Sequence, residues 1–427
     1  MRNSHAFCLP IAFAVMLFSA ATAMATTYYV SASGSDSNNG ISPDAPFLTI
    51  RKAAGVTNPG DTVYVTDGTY GPFIITRSGS ASGGYITYQA YPGHHPTINK
   101  TGDAWNAIQI KNTTGVSYIV VDGFNILGNA QSVTVHQAQN ASNYNNTTNG
   151  NCIGIDHKSN HIIIRNNNIS YCPGSGIATV GDYIDIYKNV IDHNSFWSAL
   201  ATSGISVFGT DSDSSIGAKI LIHDNVLYNN QNFICNRFQT KPCRITDGEG
   251  IIVDSTKISH FGGRVLLFNN ISYNNGGPGI EIYESQHVDV FNNTTYMNNI
   301  SAKEPSPFTA HKRGGEISVS QSSDVNIMNN IMYGSPYVPM IYPGITSVTN
   351  LHWDYNIMFN GIGAKAIGGH DLVLDPLFVE PAIFDFNLKA NSPAVGSGTS
   401  TLAPREDLAG NQRPANRVDR GAYQLKE

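Results

Sequence analysis

Two consecutive lines of sequence, EGIIVDSTKISHFGGRVLLFNNISYNN (Glu249–Asn275) and GGPGIEIYESQHVDVFNNTTYMNN (Gly276–Asn299), follow one grammar twice. Each has a glycine-led strand of the Gly-x-Ile kind, a polar turn, an alternating apolar strand, Asn-Asn, and a short β-branched or aromatic strand before another Asn. The same phrase recurs at IIIRNNNISYC (Ile162–Cys172), IDIYKNVIDHN (Ile184–Asn194), ILIHDNVLYNN (Ile220–Asn230), VNIMNNIMYGS (Val325–Ser335) and, degenerate, LHWDYNIMFNG (Leu351–Gly361). Alignment brings Asn167, Asn189, Asn225, Asn270, Asn293, Asn330 and Asn356 into register, with spacings as short as 22, 23 and 26 residues. A unit of that size, with three short period-2 strands, cannot bury its apolar face alone. Units must stack, each strand pairing with its counterpart one rung away. The predicted fold is all-β: a right-handed parallel β-helix, a single-stranded solenoid. The aligned Asn is expected at a tight turn, in left-handed geometry, bonded to its equivalent about 4.8 Å along the axis.

Composition agrees. Charged residues are only 13% of 427, Gly numbers 41, and no long stretch repeats every 3.6 residues, so helix should be scarce. A net charge of -6 argues against a nucleic-acid partner, because phosphate binding needs a basic stripe. Arg2, the apolar run Ala6–Ala20 and Ala23-Met24-Ala25 have the form of a secretory signal cleaved near Ala25, so the chain is expected to be secreted or periplasmic. No later apolar run is long enough to span a membrane. Residues 1–25 then read as signal peptide, 26–105 as N-terminal cap and first rungs, 106–370 as solenoid repeats with loop insertions, and 371–427 as a C-terminal segment packing on the solenoid end. The protein is expected to be a monomer. Four cysteines remain after the signal; Cys152 with Cys172, about one rung apart, and Cys235 with Cys243, across a loop, are the expected disulfides. Neither pair has zinc-site spacing.

The stretch Thr27–Tyr70 (TYYVSASGSD…APFLTIRKAAG…PGDTVYVTDGTY) resembles the opening of secreted β-helix proteins related to polysaccharide lyases of the pectate lyase and alginate–chondroitin lyase type. DPLFVEPAIFDFNLKANSPAVGSG (Asp375–Gly398) and DLAGNQRPANRVDRGAYQ (Asp407–Gln424) resemble their C-terminal segment. The resemblance implies an exported carbohydrate-active protein; the group includes lyases, hydrolases and epimerases. Phe47–Ala54 is expected to be a short amphipathic helix capping the open end of the solenoid, with a strand at Thr62–Val65.

Insertions at 131–151, 195–203, 231–248 and 300–315 share one corner of the rungs, so they should wall a groove beside the glycine-led sheet. Alternation points Ile251, Val253, Ile280 and Ile282 inward and Ser206, Ile252, Asp254, Glu281, Tyr283, Glu316 and Ser318 outward. Carboxylates on neighbouring rungs would repel unless neutralised, so Glu249, Asp254 and Glu281 are the expected Ca2+ ligands, with Asp247 and Glu284 nearby. Lys312, Arg313 and Glu316 are the expected catalytic residues, and Arg244, Tyr283 and His311 the expected substrate contacts. Beside a metal, a basic side chain can abstract the proton α to a uronate carboxylate, so the leading expectation is a Ca2+-dependent polysaccharide lyase. The chain departs from lyase patterns in lacking a paired Asp-Asp and a Lys on its Glu-bearing strand. Two alternatives stand beside it. One is a glycoside hydrolase with a carboxylate pair such as Asp254 and Glu316 or Glu249 and Glu281. The other is a non-catalytic carbohydrate-binding solenoid with Tyr283, Trp197 and Phe308 as stacking platforms. His136, His157, His223 and His287 lie on different strands and turns and are read as structural.

Overall fold

A computed structural model describes residues 24–142, 145–210, 213, 215–237, 245–300 and 314–426. Among them, three parallel sheets of 11, 8 and 10 strands wind into a right-handed parallel β-helix, each strand paired with its counterpart one turn away. The register is strict. Ile184 pairs with Ile220 and Ile186 with Ile222; Val265 pairs with Val288 and Leu267 with Val290. All eight side chains point inward and are fully buried. The period-2 apolar pattern thus becomes continuous Ile/Val/Leu columns along the axis, and truncating one such Ile to Ala should cost about 2 to 5 kcal/mol. No helix among the described residues is long and apolar enough to cross a membrane.

The aligned asparagines form an uninterrupted buried ladder. The Nδ2 of Asn167 donates to the Oδ1 of Asn189 at 3.0 Å, and the chain continues through Asn225, Asn270, Asn293 and Asn330 to Asn356 at 3.0–3.1 Å. Each also bonds backbone carbonyls across the turn, as Asn225 does to Ile186 and His223. The left-handed residue, however, is the one before: Asn166, Lys188, Asp224, Asn269, Asn292, Asn329 and Tyr355 have φ of 53–59°. The ladder Asn must project its amide inward, and the preceding residue absorbs the turn. A second ladder runs along the next corner through Asn194, Asn230, Asn275 and Asn298.

At the N-terminal end, the capping helix is Ile50–Ala54, shorter than predicted. Asp36 holds Leu48 and Thr49 by their backbone N–H groups at 3.0 and 2.9 Å, which keeps Phe47 extended and bridged to Val30. Thr49 then caps the helix by accepting from the Lys52 N–H. Residues 371–426 do more than cover an end. A hairpin of Phe378–Glu380 and Asp385–Leu388 places Phe378, Phe386 and Leu388 in one apolar cluster with Ile271, Tyr273 and Ile331 of the ten-stranded sheet. The left-handed asparagines dock this segment: Asn269, Asn292 and Asn329 donate to the carbonyls of Glu406, Asp419 and Thr399 at 2.8–2.9 Å. Cys152 and Cys172 form a disulfide. Cys235 is also disulfide-bonded, and its expected partner Cys243 lies outside the described residues.

Candidate functional site

The eight-stranded sheet is the glycine-led one. One outward row runs in register through Gln109, Gly154, Ala178, Ser206, Ile252, Glu281 and Ser318. A second runs through Phe208, Asp254, Tyr283 and Ser320. Two insertions join into a wall beside these rows. The Phe233 N–H donates to the Phe196 carbonyl, Arg237 to Ala199, and Gly248 to Thr202, at 3.0–3.1 Å. Between wall and sheet lies a cleft of about 610 Å³, floored by Gly154, Ala178, Ser206 and Ile252 and walled by Leu200, Thr202, Arg237, Thr246 and Asp247.

Asp254 lies in this cleft with its carboxyl pushed up to about 6. Burial is the main cause; the charges of Asp247, Glu281 and Glu284 add to it, and a 2.8 Å hydrogen bond from the Ser255 hydroxyl opposes it. Asp247, on the wall, accepts from the Thr246 hydroxyl and, at 3.3 Å, from Asn236. Toward the N-terminal end the floor is a polar network. Gln109 accepts from Asn106 and donates to Asp156 at 2.7 Å, while the hydroxyls of Ser175 and Ser206 meet at 2.9 Å. A Cβ at position 154 would overlap the Asn106 amide, so glycine there lets Asn106 lie across the floor.

Several expected site residues are elsewhere. Glu316 does not face out. It is buried, and its two oxygens accept from the Asn298 N–H at 2.9 Å and the Asn298 Nδ2 at 2.6 Å, terminating the second ladder. Glu316 precedes the strand Ile317–Ser320 and belongs to the corner, where strand alternation no longer sets which way a side chain faces. Glu249 holds the corresponding corner position before Ile251–Asp254: it is fully buried, accepts from the Ser203 hydroxyl at 2.5 Å and packs against Gly277. Glu281 sits in the outward row but is fully buried, outside the cleft lining. Among the described residues no three His, Cys, Asp or Glu side chains, Glu249, Asp254 and Glu281 included, form a group that could hold a metal ion.

Tyr283 is on the cleft rim, its hydroxyl accepting from Gln321 at 2.9 Å. Trp197 is a brace for the wall: its indole N–H donates to Ala130 at 2.8 Å and its ring packs on Phe196 and Phe233. His223 is locked between Asp185 and Asp224 at 3.1 and 2.8 Å and stacked on Tyr187 and Phe268. Among the described residues, no histidine lines the cleft. Lys241, Arg244, Phe308, His311, Lys312 and Arg313 lie outside the described residues. The cleft residues that sequence reasoning passed over are Trp105, Asn106, Asp156, Thr202, Phe208 and Arg237. Of these, only Phe208 carried a signal, as an aromatic at an outward position of a glycine-led strand.

Fold and cleft together define a right-handed parallel β-helix with a walled groove on one sheet. In fold the chain is similar to the pectate lyase Pel9A (TM-score 0.53, 15% identity, covering 95% of this chain and 98% of that one). It is also similar to XylC in complex with xylose (TM-score 0.51, 14% identity, 94% and 99%). A rhamnogalacturonan lyase matches at a TM-score of 0.43 and 17% identity, over 92% and 95%. No protein-family model matches the chain, and no curated protein matches it in sequence.

Proposed function

We propose that the protein is an exported carbohydrate-active enzyme that hydrolyses a polysaccharide held in the cleft, with Asp254 as general acid. The observation that carries this is the Asp254 carboxyl: held up to about 6 in the cleft, it keeps its proton into the mildly acidic range, as protonation of a leaving glycosidic oxygen demands. Asp247, also in the cleft and within range of its charge, is the carboxylate to activate water or attack the sugar. The carboxylate pair is therefore Asp254 with Asp247, since Glu316 and Glu249 are committed to the corners. Export suits the Cys152–Cys172 disulfide, because such bonds persist in oxidising compartments.

The hydrolytic reading is preferred to elimination on electrostatic grounds. The described cleft lining holds three carboxyl groups, Asp156, Asp247 and Asp254, against the single cation Arg237. A uronate polymer would meet repulsion there unless Arg244, His311, Lys312 or Arg313 offsets it. The likeness in fold to a pectate lyase is what favours the second reading, a lyase. A panel of neutral and uronic-acid glycans, assayed with and without EDTA, separates the two. Reducing ends without ultraviolet absorbance of an unsaturated uronide support hydrolysis, and EDTA should not reduce the rate. An unsaturated product overturns the hydrolytic reading, and no product from any glycan overturns both.

A further inference from the structure

The cleft does not end at its polar floor. A second cavity of about 500 Å³ continues it toward the N-terminal end of the solenoid, and Trp105 and Asn106 line both. Its apolar surface is the half-buried Trp105 and Ile74, which pairs with Gln109 at the head of the outward row and is 49% exposed. Its charges reverse those of the cleft. Arg51, on the exposed side of the capping helix, and Lys111, which follows the inward-facing Ile110, stand against one carboxylate, Asp103. Among the described residues neither cation is engaged in an ion pair. The register also fixes how far they are from Asp254. Ile110 lies four rungs from Val253 through Ile155, Thr179 and Val207. Lys111 and Asp254, each the next residue along, are therefore about 19 Å apart at about 4.8 Å per rung, a span of several sugar rings. A groove with carboxyl groups at one end and unpaired cations at the other fits a glycan whose charge is equally uneven.

We propose that Arg51 and Lys111 form an acidic-sugar subsite at the end of the groove away from Asp254. The guanidinium fork and the ammonium pair with an anionic substituent, a carboxylate or a sulfate ester, while the sugar ring lies over Ile74 and Trp105. Neutral sugars occupy the other end, where Asp156, Asp247 and Asp254 would repel a second anion. The substrate class is accordingly a neutral glycan with acidic sugars spaced along it. A polymer acidic at every ring would gain at Arg51 and Lys111 and lose at the three carboxyl groups. This inference rests on the glycan-degrading reading above for what fills the groove, and its binding component is testable without cleavage.

The test is affinity electrophoresis of the mature protein in gels that contain lightly carboxymethylated cellulose, glucuronoxylan, lightly sulfated cellulose or polygalacturonate. Hydroxyethylcellulose and carboxyl-reduced glucuronoxylan serve as the neutral partners of the first two, and hydroxyethylcellulose also of the sulfated polymer. A chain of net charge -6 has no general attraction to polyanions, so retention by an acidic polymer reports a local site. Wild type should be retarded several-fold more by at least one sparsely acidic polymer than by its neutral partner, and salt should erase the excess. Arg51→Ala and Lys111→Ala should each remove most of that excess with an unchanged unfolding midpoint, because both side chains are exposed, and Lys111→Arg should keep it. Retention by the sulfated polymer alone identifies the anion as a sulfate ester, and by the carboxylated polymers alone as a carboxylate. Equal retention of acidic and neutral partners, an excess that both alanine variants keep, retention by polygalacturonate alone, or no retention by any polymer overturns the subsite. An excess that the alanine variants lose, with no cleavage of any glycan, upholds the subsite and overturns the hydrolase.

Discussion

Replacing Asp254 by Asn removes one charge from a carboxyl that the fold holds in its protonated form more strongly than water does. A rise from the usual 3.8 to about 6 corresponds to about 3 kcal/mol of stability lost at neutral pH, at about 1.4 kcal/mol per pH unit. Asp254 keeps some contact with solvent, and screening trims this to about 1 to 3 kcal/mol. The sign follows from proton binding. Between pH 3.8 and about 6 the folded state holds a proton that the unfolded chain has released, so folding stability falls as pH rises through that window and stays lower above it. Asn has no such dependence, and its Oδ1 can still accept the Ser255 hydroxyl. Urea unfolding of the two proteins should thus give nearly equal midpoints below pH 4 and a more stable variant at pH 7. On a cleaved glycan the same substitution should lower kcat by about 10² to 10⁴, and the wild-type rate should decline as pH rises above about 6. A variant less stable than wild type at pH 7, or a stability difference independent of pH, would refute the account of why this carboxyl is raised. Full activity in Asp254→Asn would refute its role.

Four further outcomes are expected. Asn270→Leu breaks the ladder between Asn225 and Asn293 and should cost about 1 to 3 kcal/mol, read as a lower urea midpoint. Glu316→Gln should destabilise by a similar amount, because an amide nitrogen is put against the Asn298 Nδ2, yet leave kcat of the folded fraction unchanged, since Glu316 caps a ladder rather than facing the cleft. His223 is lowered by burial but lifted more strongly by Asp185 and Asp224, to about 9. Its contribution to stability is complete below pH 6.5 and lost as pH rises through about 9, so His223→Gln should be most destabilising in acid and least above pH 9. Non-reducing peptide mapping should recover a Cys152–Cys172 peptide and a second one linking Cys235 to Cys243.

The main repeat is legible in the sequence alone. The solenoid, the inward Ile/Val/Leu columns and the Asn167–Asn356 ladder follow from period-2 alternation and one aligned residue per turn, because neighbouring rungs impose the same contact at every step. The Cys152–Cys172 bridge was legible for the same reason, as a pairing across about one rung. Positions that break the repeat depended on the tertiary structure. Glu249 and Glu316 read as the ends of outward strands, yet the corner turns them inward, where one meets Ser203 and the other ends a ladder of asparagines. The Asn-Asn pairs divide their work in a way no alignment shows: the second Asn bonds along the axis, and the first, left-handed, anchors a C-terminal segment more than a hundred residues distant. The cleft is the clearest case. Trp105, Thr202, Phe208 and Asp247 come from separate turns and insertions, and only closure of the wall against the sheet gives them one address. A carboxyl raised to about 6 is a property of that enclosure, since burial and neighbouring charge produce it and neither is written in a single residue.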